Sequence, residues 1–231
     1  MRASLRRSYL RRMTDIVDPE VHASAPSAAW LRIFALAYDP FLWLSEIAGM
    51  RRMRSALLGG ARGRVVEIGA GTGLNIARYP DGIAELVLAE PDPAMRHRLA
   101  RRLHRNAQDA RIVDAPAERL PLADASVDTV VSTLVLCTVD DPDRVLREIA
   151  RVLRPDGQLL FIEHVRAKSR FLAACQDSLL QPWRRFAAGC RCNRRTVELM
   201  RANGFGVDAD DAVWRAMPPI VRPLMVGRAT R

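Results

Sequence analysis

The stretch Val65-Val-Glu-Ile-Gly-Ala-Gly-Thr-Gly-Leu-Asn75 decides the fold: a short β-branched run passes into three alternating glycines and then into a helical pattern. Without side chains, Gly69, Gly71 and Gly73 let the backbone turn tightly and approach a ligand closely. Their Gly-x-Gly-x-Gly spacing departs from the dinucleotide fingerprint Gly-x-Gly-x-x-Gly. Glu67, inside the strand end, is a poor neighbour for a pyrophosphate and a good one for a cationic ligand; the alternative is an acid satisfied by nearby backbone amides. Glu90 closes the second strand, about twenty residues after the turn, where an acid accepts both hydroxyls of a ribose. The pattern therefore selects a nucleoside without phosphates.

Outward from this turn, short β-branched runs alternate with longer helical patterns, the signature of a parallel sheet covered by helices. Strands are expected at Arg64–Ile68, Glu85–Ala89, 111–114, within 126–136, and at 158–164. The last follows a turn, Arg154-Pro-Asp-Gly157, in which glycine is expected to supply a positive φ. Helices are expected at Pro93–Asn106 and 141–153, where apolar residues recur at helical spacing. Residues 28–58 read as one or two amphipathic helices carrying Trp30, Phe34, Phe41, Trp43 and Leu44. After the fifth strand, 170–188 reads as helix around a break at Pro182 and 194–202 as a helix ended by Asn203-Gly204, with antiparallel closing strands within 207–217 and 220–228. The expected organisation is a basic tail over 1–26 and a single domain over 27–231. Within that domain, 27–60 supplies lid helices, 61–165 the cofactor-binding core, and 166–231 the substrate-side helices and closing strands.

Composition narrows the class. With 231 residues, 49% of them apolar and 27% charged, the chain fits a globular domain and excludes a disordered chain or a coiled coil. Half of the net charge of +10 lies in the first fourteen residues, as Arg2, Arg6, Arg7, Arg11 and Arg12 without an acid. A solvated basic tail explains it, with weak association to an anionic membrane surface as the alternative and no nucleic-acid partner expected. No secretory leader is read, and the apolar segment 28–44 is broken by Arg32, Asp39 and Pro40 before it could span a bilayer. Four scattered cysteines, at 137, 175, 190 and 192, suit a reducing compartment and hence the cytoplasm. Cys190-Arg191-Cys192 has the wrong spacing for a paired metal knuckle, so no metal is expected.

The run Glu67-Ile-Gly-Ala-Gly-Thr-Gly73, then Glu90, Ala117-Glu-Arg-Leu-Pro121, Asp128 and Leu153-Arg-Pro-Asp-Gly157 resembles the class I S-adenosylmethionine-dependent methyltransferases. The resemblance implies a Rossmann-like α/β fold: a seven-stranded, mostly parallel sheet with its last strand antiparallel and helices on both faces. It implies S-adenosyl-L-methionine across the ends of strands one and four, leaving as S-adenosyl-L-homocysteine. Glu67, Ala70, Thr72, Asn75 and the three glycines would take the methionine end and Glu90 with Pro91 the ribose. Ala117 and Glu118 would take the adenine edge, with Thr133 and Leu134 beside them. Pro116 stands where many relatives have an aspartate, which leaves adenine recognition to backbone groups. Ser132-Thr-Leu-Val-Leu-Cys-Thr-Val139, Phe161-Ile-Glu-His-Val165, Leu180-Gln-Pro-Trp183 and Gly189-Cys190 resemble more narrowly the alkyl-thiol S-methyltransferases, relatives of the ubiquinone/menaquinone methyltransferases.

Methyl transfer from a sulfonium is an in-line displacement, so positioning and water exclusion carry much of the rate. A thiol acceptor needs little help with its proton, whereas a phenol or carbon acid gains typically 10²–10⁴-fold from a base. His164, at the outgoing end of strand five, is the candidate base, or else a residue that shapes the pocket. Glu163 should face the other side of that strand, so that one of the pair fixes backbone. Cys137 and Cys190 read as small apolar residues, because direct transfer needs no covalent enzyme intermediate. Phe41, Trp43, His164, Trp183 and Cys190 are expected to wall a mostly apolar acceptor pocket. The expected reaction is methylation of a small hydrophobic thiol; O-, C- or N-methylation of a quinone, phenol or phospholipid is the rival, and a nucleic-acid-binding protein a further one. Monomer and homodimer are equally compatible with the sequence.

Overall fold

The computed structural model describes residues 28–106 and 108–231; the basic segment 1–26 lies outside them. Seven strands form one sheet: β1 (Arg64–Ile68), β2 (Glu85–Ala89), β3 (Arg111–Val113), β4 (Val127–Thr133), β5 (Leu153–His164), β6 (Gly206–Val213) and β7 (Pro223–Thr230). Their order is β3-β2-β1-β4-β5-β7-β6. The first five pair in parallel, and β7 runs antiparallel to both β5 and β6. The chain winds outward from β1 in one direction and from β4 in the other. The crevice that opens where that order reverses, at the carboxyl ends of β1 and β4, is where such sheets bind ligands.

Strands β1, β2, β4 and β5 are buried on both faces, as parallel strands under helices must be. One face, with Val66, Val87, Val130 and Phe161, packs against α4 (Pro142–Val152) and α7 (Thr196–Ala202). The other, with Val65, Leu88, Val131 and Leu160, packs against α2 (Arg51–Leu58) and α3 (Pro93–Asn106). Asp141 caps α4, its carboxylate accepting the Arg144 N–H, which is why that helix begins at Pro142. Edge strand β6 carries Asp208, Asp210 and Asp211, charges that discourage further strand pairing. Among the described residues no helix is long and apolar enough to cross a membrane.

Two local expectations are corrected. Gly157 does not have a positive φ. The pairing instead jumps from Val127–Leu153 to Thr129–Gln158, leaving Arg154–Gly157 as a bulge, and a Cβ on Gly157 would sit 2.9 Å from Leu153 Cδ2 and 3.0 Å from the Arg154 carbonyl. Glycine is needed there for closeness of approach. The helix after β5 breaks at Leu179, between α5 (Arg170–Ser178) and α6 (Leu180–Phe186), and not at Pro182. Pro182 lies in the first turn of α6, where backbone N–H groups have no intrahelical partner and proline is tolerated.

The N-terminal segment is α1 (Ala28–Ser45), a single π-helical turn (Glu46–Met50) and α2. Asp39, on α1, ties this segment over the glycine turn. It accepts from Thr72 Oγ1 at 2.6 Å and pairs with Arg102 at 2.6 Å and Arg98 at 3.4 Å on α3.

Candidate active site

The glycine turn follows β1 directly, and Gly69 and Gly71 both take positive φ, 55° and 57°. A Cβ on Gly71 would meet nothing nearer than the Gly69 carbonyl at 3.9 Å, so the space before the turn is open. Glu90, at the end of β2, is 6% exposed and accepts one backbone N–H on each carboxylate oxygen, from Gly71 at 2.8 Å and from Asp92 at 2.9 Å. Each oxygen keeps a lone pair for a ligand hydroxyl. Burial pushes the Glu90 carboxyl above the usual range, against those two hydrogen bonds.

A cavity of about 430 Å³ opens here, a volume suited to a small-molecule ligand. One end is lined by Gly69, Gly71, Glu90, Pro91, Ala117 and Glu118, with Leu134 beyond them. An open glycine cradle, a buried carboxylate and backbone groups near Pro116 fit an adenosyl group bearing no phosphate. The other end is aromatic and apolar: Phe34, Tyr38, Phe41, Trp183, Phe186, Trp214 and Met217, with Cys137, His164 and Cys190. Among the described residues, no lysine or arginine lines it. Trp43 does not belong to it: the ring is 61% exposed on the other side of α1, because residues two apart on a helix face apart. Trp214 and Met217, from the segment after β6, complete the wall and were not singled out in the sequence; no local motif marks them.

Several expected cofactor residues lie behind the cavity surface. Glu67 is 3% exposed and accepts from Asn75 Nδ2 at 2.9 Å and from the Tyr79 hydroxyl at 2.6 Å. Asn75 also donates to Thr133 Oγ1 and accepts from Arg54, which pairs with Glu46 at 2.9 Å. These side chains form a buried polar network beneath the glycine turn. Ala70, Thr72 and Gly73 likewise pack under the turn, Thr72 against Asp39; a Cβ on Gly73 would strike Ile76 and Leu99. The side chains that satisfy Glu67, rather than backbone amides, could have been sought in the polar residues following the glycines.

Burial pushes the Glu67 carboxyl up to about 7, despite Tyr79, Asn75 and the Arg54 charge. A carboxyl raised on folding stabilises most below its unfolded value, and that stability is lost as pH rises through the folded value. Relative to Glu67→Gln, the wild type should therefore lose up to roughly 3 kcal/mol between about pH 4.5 and 7. Thermal melts of both proteins across that window check it; parallel pH curves would show that Glu67 does not titrate there.

Glu163 and His164 divide their roles as alternation demands. Glu163, fully buried, accepts from Ser132 Oγ and from the N–H groups of Val135, Leu136 and Cys137, fixing the loop after β4. His164 turns the other way, into the cavity. Its Nδ1 lies 3.2 Å from Cys137 Sγ and 3.6 Å from Cys190 Sγ, with the two sulfurs 3.9 Å apart. Its Nε2 is buried without a hydrogen-bond partner, and its ring packs on Trp214. The Cys137 thiol is pushed well up by its hydrogen bond with Cys190 and by burial. Buried Gln176 braces the loop that delivers Cys190, donating to the carbonyls of Cys192, Val165 and Ile220.

The model of a methyltransferase domain matches residues 66–161. The human Thiol S-methyltransferase TMT1B is 36% identical over 184 residues, 75% of this chain and 74% of that protein. Its mouse counterpart is 32% identical over 235 residues, covering 95% and 94%. In fold, the chain is similar to the crystal structure of a SAM-dependent methyltransferase from Thermotoga maritima, with a TM-score of 0.66 and 22% identity over 88% of this chain and 99% of that one.

Proposed function

Since the chain belongs to the S-adenosylmethionine-dependent methyltransferases, in the family that holds the thiol S-methyltransferases, we propose that it methylates the sulfur of a small apolar thiol. The observation that carries this reading is the acceptor end of the cavity, mostly aromatic and apolar, with no lysine or arginine among the described residues that line it and with His164, Cys137 and Cys190 meeting there. A phospholipid head group would bring a phosphate there with no arginine or lysine among the described lining residues to receive it. A thiol needs neither a counter-charge nor a strong base, because it is already partly ionised near neutral pH.

S-adenosylmethionine, when bound, supplies a methyl group on a positively charged sulfur. Glu90 and Pro91 are suited to hold its ribose, Gly69 and Gly71 to receive its amino-acid arm, and Ala117 and Glu118 to border its adenine. The buried Glu67–Asn75–Thr133 network supports the turn from below. Phe34, Tyr38 and Phe41 from α1 close the cavity against water, and Trp183 and Trp214 flank the acceptor. His164 meets the acceptor's S–H. A cytoplasmic setting accords with the free state of the four cysteines.

A panel of small alkyl and aryl thiols, phenols, quinols and phospholipid head groups, assayed for S-adenosylhomocysteine release, tests the reading. Turnover confined to thiols is expected; turnover confined to oxygen, nitrogen or carbon acceptors would overturn it. Glu90→Ala should weaken S-adenosylhomocysteine binding by about 1–3 kcal/mol, roughly 5- to 150-fold, as two ribose hydrogen bonds and the anchor of Gly71 disappear together. Titration calorimetry reads this directly, and an unaltered affinity would remove Glu90 from the site.

A further inference from the structure

We propose that Cys137, His164 and Cys190 form a three-ligand zinc site whose fourth position opens on the cavity, where the sulfur of the acceptor thiol completes the coordination. The metal site stands on the geometry of these residues; the fourth ligand rests on the thiol reading above.

The three donor atoms come from three separate elements. Cys137 lies on the loop after β4, His164 ends β5, and Cys190 lies on the loop after α6. Sγ, Sγ and Nδ1 all fall within 4.8 Å of one another, every one of the residues is buried, and among the described residues no fourth cysteine, histidine or carboxylate joins them. Zinc binds thiolate sulfur at about 2.3 Å and imidazole nitrogen at about 2.0–2.1 Å in a tetrahedron, so two such sulfurs stand ~3.8 Å apart and each stands ~3.5 Å from the nitrogen. The observed separations are 3.9 Å between the sulfurs and 3.2 and 3.6 Å from sulfur to nitrogen. A shift of a few tenths of an ångström makes them three corners of that tetrahedron.

The loops that present the sulfurs are held together without them. The Arg191 N–H donates to the Cys137 carbonyl at 2.7 Å, and the Arg194 guanidinium donates to the carbonyls of Leu136 and Val139. Glu163 fixes the Cys137 N–H from the opposite side. Such prior ordering keeps the ligands in place before metal arrives. Two cysteines, one histidine and an open corner is a donor set used by catalytic zinc, in which substrate takes the fourth position. All three residues line the cavity, so that corner faces the acceptor.

The chemistry balances without an oxidant. On zinc binding, the two cysteine thiols release their protons to solvent while neutral His164 donates its Nδ1 lone pair. The acceptor thiol releases its own proton to solvent on joining the metal, and its sulfur then forms the new carbon–sulfur bond. The bond from that methyl to the sulfonium breaks, its electron pair staying on the departing sulfur. The thioether product is neutral, a weaker ligand than the thiolate, and leaves. His164 thereby serves as a ligand in place of a base.

Metal analysis of the full chain, purified under reductant from zinc-supplemented culture, should find about one zinc per chain. Cobalt(II) added to the metal-stripped full chain should give sulfur-to-cobalt charge transfer and tetrahedral ligand-field bands, and a small alkyl thiol should shift the latter. Cys137→Ala and Cys190→Ala should each abolish the spectrum, while Cys175→Ala retains it; circular dichroism and S-adenosylhomocysteine binding verify that each variant is folded. A folded wild type that takes up neither metal overturns the proposal, and thiol methylation surviving in that metal-free protein would leave the thiol reading standing. A cobalt spectrum indifferent to thiols overturns the open fourth position. Metal binding with methylation only of phenols or amines would sustain the site and sink the thiol reading.

Discussion

Gly71→Val is expected to leave a folded protein that no longer takes up S-adenosylmethionine. Two properties of the position act together. Its φ of 57° is strained for a β-branched residue, at a cost of order 1–3 kcal/mol, and the added side chain has no neighbour to displace except whatever occupies the cavity. The strain reduces stability without removing the fold, since Gly71 packs against no core side chain. The steric block falls on the ligand, and affinity for S-adenosylhomocysteine should drop by at least ~100-fold, about 3 kcal/mol. Calorimetry against wild type reads the loss, and Gly71→Ala should give an intermediate value. Retained affinity in the valine variant would move the nucleoside away from this turn.

Glu163→Leu should be the most destabilising single change near the site. One buried carboxylate satisfies three consecutive backbone N–H groups and the Ser132 hydroxyl. A leucine of similar volume leaves those donors unpaired in a region closed to water. At ~1–3 kcal/mol for each abandoned group, the loss reaches roughly 4 kcal/mol or more, a large part of the usual 5–15 kcal/mol of domain stability. Glu163→Gln retains one carbonyl oxygen for Ser132, Val135 and Leu136 and should cost far less. Urea denaturation of the three proteins tests the order; a leucine variant within 1 kcal/mol of wild type would contradict the role given to this carboxylate.

What the sequence disclosed was what is local. The strand into Gly69, the acid closing β2 and the helix over Pro93–Asn106 each depend on periodicity or punctuation within a few residues. They stand where that reading puts them. Gly157 shows the limit: its place in a turn-like tetrapeptide suggested a backbone angle, but the need arises from a bulge that closes on Leu153 and Arg154. Pro182 misled for a related reason, since a proline marks a break only beyond the first helical turn. Trp43 was grouped with Phe41 by nearness in sequence, which on a helix separates them. Glu67 was legible as unusual, but not the tyrosine, asparagine and arginine that surround it. Least legible was the meeting of Cys137, His164 and Cys190. The histidine lies 27 residues from one sulfur and 26 from the other, and no spacing rule joins them until β4, β5 and the loop after α6 converge.

The carboxylate of Asp39 holds two structures at once, gripping Arg102 of α3 and the hydroxyl of Thr72 in the glycine turn. Roof and floor of the chamber thus share one rivet. Any lifting of α1 would have to break both contacts together, so the turn beneath would lose its side-chain anchor in the same stroke. Arrival and departure of the nucleoside would then be geared to a single motion.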